Sequence, residues 1–295
     1  MRKVTGTTNT AASTEAPEAD GLQAIEPAEF EQIRSLARRA FGLDLRAGKE
    51  QMVSSRLRRL VRDGGFRSFR QYCRHIAEDS TGRALAAMID ALATNHTAFL
   101  REPSHFDLLC REVVPLLSKR DSIDVWCAAC STGEEAWTLA FVLNDAAPSK
   151  NIRVLGTDIS NKALEAAQAA VYPADRCSAL PPSWILRYLR PQGRPPSGYC
   201  ISPEIRRQVT FLRANLLQPP AARQCFPVIF CRNVMIYFDP ETQERAIAQL
   251  AASLEPGGYL FVGHAESLAR ISHGLEYVRP AVYRKTDGGK WGRSR

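Results

Sequence analysis

The chain has 295 residues, a formal net charge of +8 and 45% apolar residues. This length suggests about two domains at roughly 150 residues each, and the composition excludes a wholly disordered, collagen-like or coiled-coil chain. The longest strongly apolar run is far too short to cross a bilayer, and the N-terminus lacks the apolar stretch of a secretory signal.

A disordered leader and a small helical domain are predicted for the first 93 residues. Residues 1–24 are rich in Thr, Ala, Ser and Glu and have no apolar periodicity, which is typical of disorder. Residues 25–93 have helical periodicity and no strand signal, so we predict an all-helical N-terminal domain. Its helices are predicted over residues 27–41, 49–62, 68–77 and 81–93.

From residue 123 the sequence alternates between short apolar runs and helical stretches. This alternation is typical of an α/β domain whose parallel sheet has helices on both faces, and we assign it to residues 94–284. Residues 178–209 interrupt the alternation with six prolines and weak strand signals, so we predict an inserted β-subdomain. Residues 275–285 predict a closing hairpin, and residues 285–295 predict a flexible tail.

The loops that follow the first two strands are candidates for a ligand site, because ligands of such sheets bind beyond the carboxyl ends of the strands. Residues 127–135 read CAACSTGEE, where Gly133 permits close approach of a ligand to the backbone. The loop matches neither the dinucleotide nor the phosphate-loop fingerprint. Its two glutamates, Glu134 and Glu135, would repel phosphate but suit a cationic ligand.

Asp158 ends the second strand, 25 positions after Gly133. An acid at this place commonly accepts hydrogen bonds from ribose hydroxyls. Together the two loops favour a nucleoside without a pyrophosphate, such as S-adenosylmethionine with its positive sulfonium. Taken singly, each loop also fits an ordinary helix N-terminus with an acidic residue near the dipole or at the cap.

Ordered motifs run through the α/β region: NHTAFLRE at 95–102, CSTGEE at 130–135, TDIS at 157–160, NLL at 215–217, CRNVMIYF at 231–238 and GHAE at 263–266. They resemble the motifs of the CheR family, the chemoreceptor glutamate methyltransferases. The resemblance covers residues 25–284. It implies a Rossmann-like S-adenosylmethionine methyltransferase sheet with a small inserted β-subdomain, preceded by the helical domain. It departs from the family pattern at Leu100, Ala136, Trp137, Thr138 and Ala265, and none of these departures removes a polar group that we assign to the chemistry.

The resemblance implies methyl transfer from S-adenosylmethionine to a glutamate side-chain oxygen, with S-adenosylhomocysteine as the product. A glutamate carboxylate is ionised at neutral pH, so no strong general base is required. Arg101 and Tyr237 are the candidate catalytic residues, because both can hold the acceptor carboxylate. Tyr237 also fits a buried aromatic with a satisfied hydroxyl.

The cofactor contacts that the resemblance implies share positions at strand ends or at the domain junction: Asn95, Thr97, Arg101, Glu135, Asp158, Asn215, Leu216, Arg232 and Asn233. For five of these the chemistry suggests a role. Asp158 suits the ribose hydroxyls, Glu135 the amino group of the methionine moiety, and Arg101 its carboxylate. Asn215 and Leu216 can border the adenine.

Positive charge is concentrated in residues 45–74, which carry nine basic and two acidic residues, whereas residues 94–283 are nearly neutral. On a helical wheel the apolar residues of the second helix share one side, with Arg58, Arg59 and Arg62 opposite and Arg56 at a flank. A solvated basic face is one interpretation. The other is a surface that binds the acidic, glutamate-bearing cytoplasmic helices of a chemoreceptor.

Two other functions remain open. The basic isoelectric point suggests an RNA or DNA methyltransferase, but the charge is local and no N-P-P-Y-like segment stands at the fourth strand, so we expect no nucleic-acid partner. A non-catalytic cofactor sensor or scaffold of the same fold is disfavoured by the intact Arg101, Glu135, Asp158 and Tyr237.

Metal binding and disulfides are not expected. Cys127 and Cys130 form a lone Cys-x-x-Cys pair without the further ligands that zinc needs. His96, His105 and His264 lie in or near the motifs and are read as structural. Eight cysteines in a chain of this size predict reduced thiols and a cytoplasmic protein, and we expect a monomer.

Overall fold

The computed structural model describes residues 24–218 and 225–286. The leader predicted for residues 1–24 and the tail predicted for residues 285–295 lie almost wholly outside these described residues. Within them, a group of helices precedes a seven-stranded sheet and a separate three-stranded sheet.

Four helices come first: α1 (Pro27–Phe41), α2 (Glu50–Asp63), α3 (Phe69–Glu78) and α4 (Arg83–Leu92). The four predicted helices are confirmed. Local signals set their ends, since the Glu29 carboxylate accepts the N–H of Glu26 at 2.9 Å before α1 and the Ser68 hydroxyl accepts the N–H of Gln71 at 3.2 Å before α3. Gly42 ends α1 in the left-handed conformation, with φ 80°.

The apolar side of α2 lies in the core of this helical group, as the wheel predicted. Val53, Leu57 and Val61 are fully buried against side chains of the other three helices. Burial of each aliphatic side chain contributes about 1.5–3 kcal/mol, which exceeds the small intrinsic helix preferences of these β-branched and apolar residues.

Arg56, predicted at the flank of the basic face as a candidate partner-binding residue, has its guanidinium bonded within the helical group. Its Nη1 donates to the carbonyl of Leu92 at 2.6 Å and to the hydroxyl of Thr94 at 3.2 Å. The last carbonyls of α4 have no intrahelical donor, and the flank position of Arg56 brings its guanidinium within reach of them. Arg56 therefore fixes the end of α4, next to the segment that enters the second domain.

A helical connection follows: α5 (Ser104–Leu108), a π-helical turn (Leu109–Val113) and α6 (Val114–Leu116). The strands are β1 (Ser122–Ala128), β2 (Asn151–Asp158), β3 (Val171–Pro173), β4 (Leu189–Gln192), β5 (Gly198–Ile201), β6 (Val209–Arg213), β7 (Phe226–Cys231), β8 (Leu254–Val262), β9 (Leu275–Arg279) and β10 (Val282–Lys285). The helices between them are α7 (Glu134–Ala146), α8 (Asn161–Ala169), α9 (Pro182–Tyr188), α10 (Pro203–Arg206) and α11 (Pro240–Ser253).

The large sheet has the order β6-β2-β1-β7-β8-β10-β9. The five strands from β6 to β8 are parallel, and β9 and β10 form the predicted antiparallel hairpin. Both faces are covered, because Val125 and Cys127 of β1 pack in one core cluster and Trp126 and Ala128 in the other. This confirms the predicted doubly covered α/β sheet.

The small sheet begins earlier in the chain than residue 178, where the insertion was predicted to start. β3 pairs antiparallel with β5, with Val171 opposite Cys200 and Pro173 opposite Gly198. The helical pattern before it ends at Ala170, which has a positive φ of 55° and turns the chain out of α8. The last strand signal of the insertion, β6, belongs to the large sheet instead.

Gly133 controls the close approach of α7 to α8. Its φ is +96°, and a Cβ placed on it would lie 2.8 Å from the Cβ of Ala167 and 3.0 Å from the hydroxyl of Tyr172. Gly48 has a similar φ of +86° with nothing within 4 Å of such a Cβ. An alanine at Gly48 would meet only backbone strain, whereas an alanine at Gly133 would meet the same strain and a steric clash. Comparing the two positions therefore separates the two costs.

We predict that Gly48→Ala lowers the free energy of unfolding by about 1 kcal/mol, the cost of a left-handed alanine. Gly133→Ala should cost about 1–3 kcal/mol more, because its methyl group overpacks the α7–α8 contact. Urea denaturation of both variants measures the difference. Equal losses would show that Gly133 is present for its backbone conformation alone.

Candidate functional site

A cleft of about 1010 Å³, open solvent at its mouth included, lies at the carboxyl ends of β1, β2 and β7. The segment that follows α4 forms its opposite wall. All ten predicted site residues line this one cleft: Asn95, Thr97, Arg101, Glu135, Asp158, Asn215, Leu216, Arg232, Asn233 and Tyr237. Residues that are up to 142 positions apart in sequence therefore meet at one edge of the sheet.

The loops around the cleft contain an unusual number of non-glycine residues with positive φ. Ala129 and Ser131 follow β1, Asn233 follows β7, and Leu100 and Glu102 lie on the opposite wall, all with φ between 51° and 60°. Each such residue costs about 1–2 kcal/mol of backbone strain. Strain of this kind persists where surrounding contacts enforce it, and it concentrates at functional sites.

Asp158 holds the β1 loop against the end of β2. Its Oδ2 accepts the N–H of Ser131 at 2.8 Å, and its Oδ1 accepts the N–H of Ser160 at 2.9 Å. Burial raises the pKa of Asp158, and these backbone donors oppose that rise. The Asp158 carboxylate thus fixes the strained loop after β1, and Asp158 also lines the cleft.

Arg232 connects three parts of the cleft wall and is fully buried. Its Nη1 donates to Glu135 Oε2 at 2.7 Å, while its Nη2 donates to the carbonyl of Arg101 at 2.6 Å and lies 2.9 Å from Glu102 Oε2. The two carboxylates raise the pKa of Arg232 against the effect of burial. Glu135, expected to bind an amino group, therefore already has a cationic partner.

Glu266 fixes the loop that follows β7. Its carboxylate accepts four backbone N–H groups, from Asn233 at 2.8 Å, Gly263 at 2.6 Å, Met235 at 2.7 Å and Ile236 at 3.3 Å. Burial raises the pKa of Glu266, and the four donors favour its charged form. This single side chain therefore determines the path of the chain from Asn233 to Ile236.

Arg101 and Tyr237 retain unused hydrogen-bonding capacity in the cleft. The Nη1 of Arg101 donates to the carbonyl of His96 at 2.9 Å. Tyr237 is half-buried, and no hydrogen bond to its hydroxyl is found among residues 24–218 and 225–286. Its backbone carbonyl accepts the N–H of Asp44 at 2.8 Å, which ties the helical domain to this loop. Tyr237 is half-buried rather than fully buried.

Asn215 also joins the two domains. Its Nδ2 donates to the carbonyl of Ala40 in α1 at 2.9 Å, and its Oδ1 accepts the N–H of Leu217 at 3.0 Å. The side chain is thus used within the protein, although it lines the cleft. Leu216 beside it supplies an apolar surface.

Two buried polar atoms at the cleft lack hydrogen-bond partners in the part of the chain that the structure describes. The hydroxyl of Ser131 and the Nε of Arg232 are both inaccessible and without a hydrogen bond. Buried polar groups are nearly always paired, so these two atoms are exceptions within the cleft wall. The cleft lining combines the carboxylate of Asp158 with the apolar Leu216, which suits the ribose hydroxyls and the base of a nucleoside.

The thiols of Cys127 and Cys130 lie beneath the cleft and are buried. Cys127 Sγ donates to Glu135 Oε1 at 3.3 Å. Burial raises the pKa of both thiols well above the usual value, so they remain protonated and are poor metal ligands or nucleophiles at neutral pH.

Models of known protein families match both the helical part and the α/β part of the chain. The family model described as CheR methyltransferase, SAM binding domain, matches residues 95–283, and CheR methyltransferase, all-alpha domain, matches residues 28–93. The chain belongs to the CheR methyltransferase family. It is an S-adenosylmethionine-dependent methyltransferase, and S-adenosylmethionine is its cofactor.

Chemotaxis protein methyltransferases from several bacteria are similar over most of their length. The Borreliella burgdorferi protein is 33% identical, over 87% of this chain and 94% of that protein. The Klebsiella aerogenes protein is 36% identical, over 88% and 90%, and the Escherichia coli protein 34% identical, over 88% and 91%. Among the described residues, no helix is long and apolar enough to cross a membrane.

Sequence reasoning assigned no role to Glu102, Ser131 or Glu266, although all three lie within the quoted CheR motifs. Their place in those motifs was the only signal. Glu134 was expected to face a ligand, but it is fully buried, ion-paired with Arg176 and absent from the cleft wall. Helical rotation directs Glu134 to the packed side of α7 and Glu135 to the cleft.

We predict that Glu266→Gln disorganises the cleft without a change of side-chain volume. The amide nitrogen would replace one carboxylate oxygen and would face two backbone N–H groups that then have no acceptor. The free energy of unfolding should therefore fall by about 1–3 kcal/mol. Binding of S-adenosylhomocysteine, measured by calorimetry, should weaken several-fold. Glu276→Gln, at an exposed position on β9, is the matched control, and equal behaviour of the two variants would contradict this role.

Proposed function

We propose that this CheR enzyme methylates glutamate side chains in the cytoplasmic helical region of chemoreceptors, forming glutamate methyl esters and S-adenosylhomocysteine. The observation that carries the proposal is the presence of Arg101 and Tyr237 in the same cleft, where no hydrogen bond to the Tyr237 hydroxyl is found among the described residues. The guanidinium group of Arg101 and the phenol of Tyr237 are suited to holding a carboxylate by charge-assisted hydrogen bonds.

The chemistry requires orientation more than proton transfer. Bound S-adenosylmethionine supplies an electrophilic methyl group on a positively charged sulfur. The acceptor carboxylate is already ionised at neutral pH, so no residue has to remove a proton. The carboxylates at the cleft, Glu135 and Asp158, already accept hydrogen bonds from Arg232 and from Ser131 and Ser160.

Arg101 and Tyr237 would align the acceptor oxygen and hold it free of water, which can contribute several kcal/mol to the barrier reduction. Asp158 and Ser131 would bind the cofactor's hydroxyl and amino-acid groups, and Leu216 would contact its base. Asn95, Thr97 and Asn233 would close the cleft wall over it. Glu135, Arg232 and Asn215 would act chiefly by holding these groups in place.

The basic surface of α2, defined as Arg58, Arg59 and Arg62, would bind the acidic receptor helix. The Arg59 side chain is 84% exposed. Arg59 and Arg62 both contact Asp63, at 3.2 Å and 3.1 Å. The excess of basic over acidic residues in positions 45–74, nine against two, favours an acidic protein helix over a neutral one. We propose a monomeric, cytoplasmic enzyme without a nucleic-acid partner.

The proposal is tested by incubating the protein with methyl-labelled S-adenosylmethionine and receptor-containing membranes. We expect label on the receptor that is released by mild base, as an ester of glutamate requires. Membranes without receptor are the control. Label on nucleic acid, base-stable label on the receptor, or no transfer would contradict the proposal.

We predict that Tyr237→Phe reduces kcat about 10- to 100-fold, which corresponds to loss of one hydrogen bond to a charged group. The dissociation constant of S-adenosylhomocysteine should stay within two-fold of the unmodified protein. Tyr277→Phe, at a residue 59% exposed on β9, is the matched control. Full activity of Tyr237→Phe would remove Tyr237 from the mechanism.

We predict that charge reversal at Arg59 and Arg62 raises KM for receptor at least ten-fold and leaves cofactor binding unchanged. The defect should diminish as salt is added, because exposed charges are screened. Arg83→Glu, on exposed α4 surface, is the control for a general charge effect. Equal loss of receptor methylation in the control would argue against α2 as the docking surface, and parallel loss of cofactor binding would indicate misfolding.

A further inference from the structure

Three potential metal ligands meet behind the cleft wall. Glu102, His105 and His264 each place one ligand atom within 4.8 Å of the others, and they form the one such group found among the described residues. His105 Nδ1 lies 3.5 Å from Glu102 Oε2. The rings of His105 and His264 are 4.6 Å apart at an interplanar angle of 74°. The three residues come from the start of α5 and from the loop after β8.

Among residues 24–218 and 225–286, neither nitrogen of the His105 imidazole has a hydrogen-bond partner, although the residue is only 2% exposed. A buried imidazole normally donates one hydrogen bond and accepts another, and an unpaired buried polar group costs about 1–3 kcal/mol. Its Nδ1 points toward the carboxylate of Glu102, and its other neighbours include the rings of Phe261 and His264. A ligand shared with these residues would satisfy it.

We propose that Glu102, His105 and His264 bind a divalent transition-metal ion, with zinc as the best fit. Two imidazoles and one carboxylate are a donor set that zinc takes, with a fourth position left open. Bonds of about 2.0–2.1 Å place neighbouring ligand atoms about 3.4 Å apart, so separations of up to 4.8 Å must shrink by as much as about 1.4 Å. His264 is exposed and can supply this movement by side-chain rotation.

The metal would compete with contacts that organise the cofactor cleft. Glu102 Oε2 lies 2.9 Å from Arg232 Nη2 and accepts the N–H of His264 at 3.3 Å, while Oε1 accepts Asn233 Nδ2 at 3.2 Å. A dication on Oε2 would repel the guanidinium of Arg232 and weaken its ion pair. Metal and cofactor should therefore each lower the affinity of the other, by equal factors.

The test uses the full chain, stripped of metal with a chelator and titrated with zinc against a chromophoric competitor. We expect one zinc ion per chain, and cobalt substitution should give the intense visible absorption of a four-coordinate site. His264→Ala should weaken zinc binding at least ten-fold, whereas His75→Ala, at an exposed position in α3, should leave it unchanged. His264 is exposed, so its removal leaves the fold intact.

Zinc should also weaken the binding of S-adenosylhomocysteine in the unmodified protein at least three-fold, and should have no such effect in His264→Ala. Absence of stoichiometric zinc binding would overturn the proposal. So would equal zinc binding by all three proteins, which would place the metal elsewhere, for example on the exposed thiol of Cys225. Zinc binding without any effect on S-adenosylhomocysteine would overturn the competition with Arg232.

Discussion

The cleft depends on one buried cation. Arg232 lies at the end of β7 and contacts Glu135 of α7 together with Glu102 and the carbonyl of Arg101 on the opposite wall. Its guanidinium also lies over the rings of Phe106 and Phe230, at 5.6 Å and 5.9 Å from their centroids. Loss of one partner of a buried ion pair costs about 3–5 kcal/mol, because the other charges remain buried without compensation. The two walls are therefore held at a fixed separation.

This constraint explains how the strained loops persist. The positive φ values of Glu102 and Asn233 occur where the Arg232 network and the carboxylate of Glu266 enforce the chain path. Asp158 likewise enforces the positive φ of Ser131 by accepting its backbone N–H. The backbone is thus organised before any ligand arrives, and the ligand does not have to supply the free energy of ordering. Such preorganisation suits methyl transfer, which needs the acceptor oxygen, the methyl carbon and the sulfur in line and does not need a general base.

Much of the fold followed from local patterns, since the helices, the alternating strands and the hairpin each depend on periodicity and end signals within about 15 residues. The cleft members were found because strand ends of a parallel sheet converge and because their motifs resemble those of CheR. The failures concern long-range partners. Arg56 binds the end of α4, 36 residues away, and Glu266 binds backbone groups about 30 residues away. Periodicity assigns a side chain to a face of a helix, but it does not identify the carbonyl or N–H group that the side chain will reach.

The crystal structure of the protein with S-adenosylhomocysteine tests the central claim most directly, that the cofactor occupies a cleft built around Arg232. The predicted result places the product beside Asp158 and the hydroxyl of Ser131, with Arg232 still bound to Glu102 and Glu135. Product bound outside the cleft, or Arg232 drawn away from both glutamates to contact it, would contradict the account.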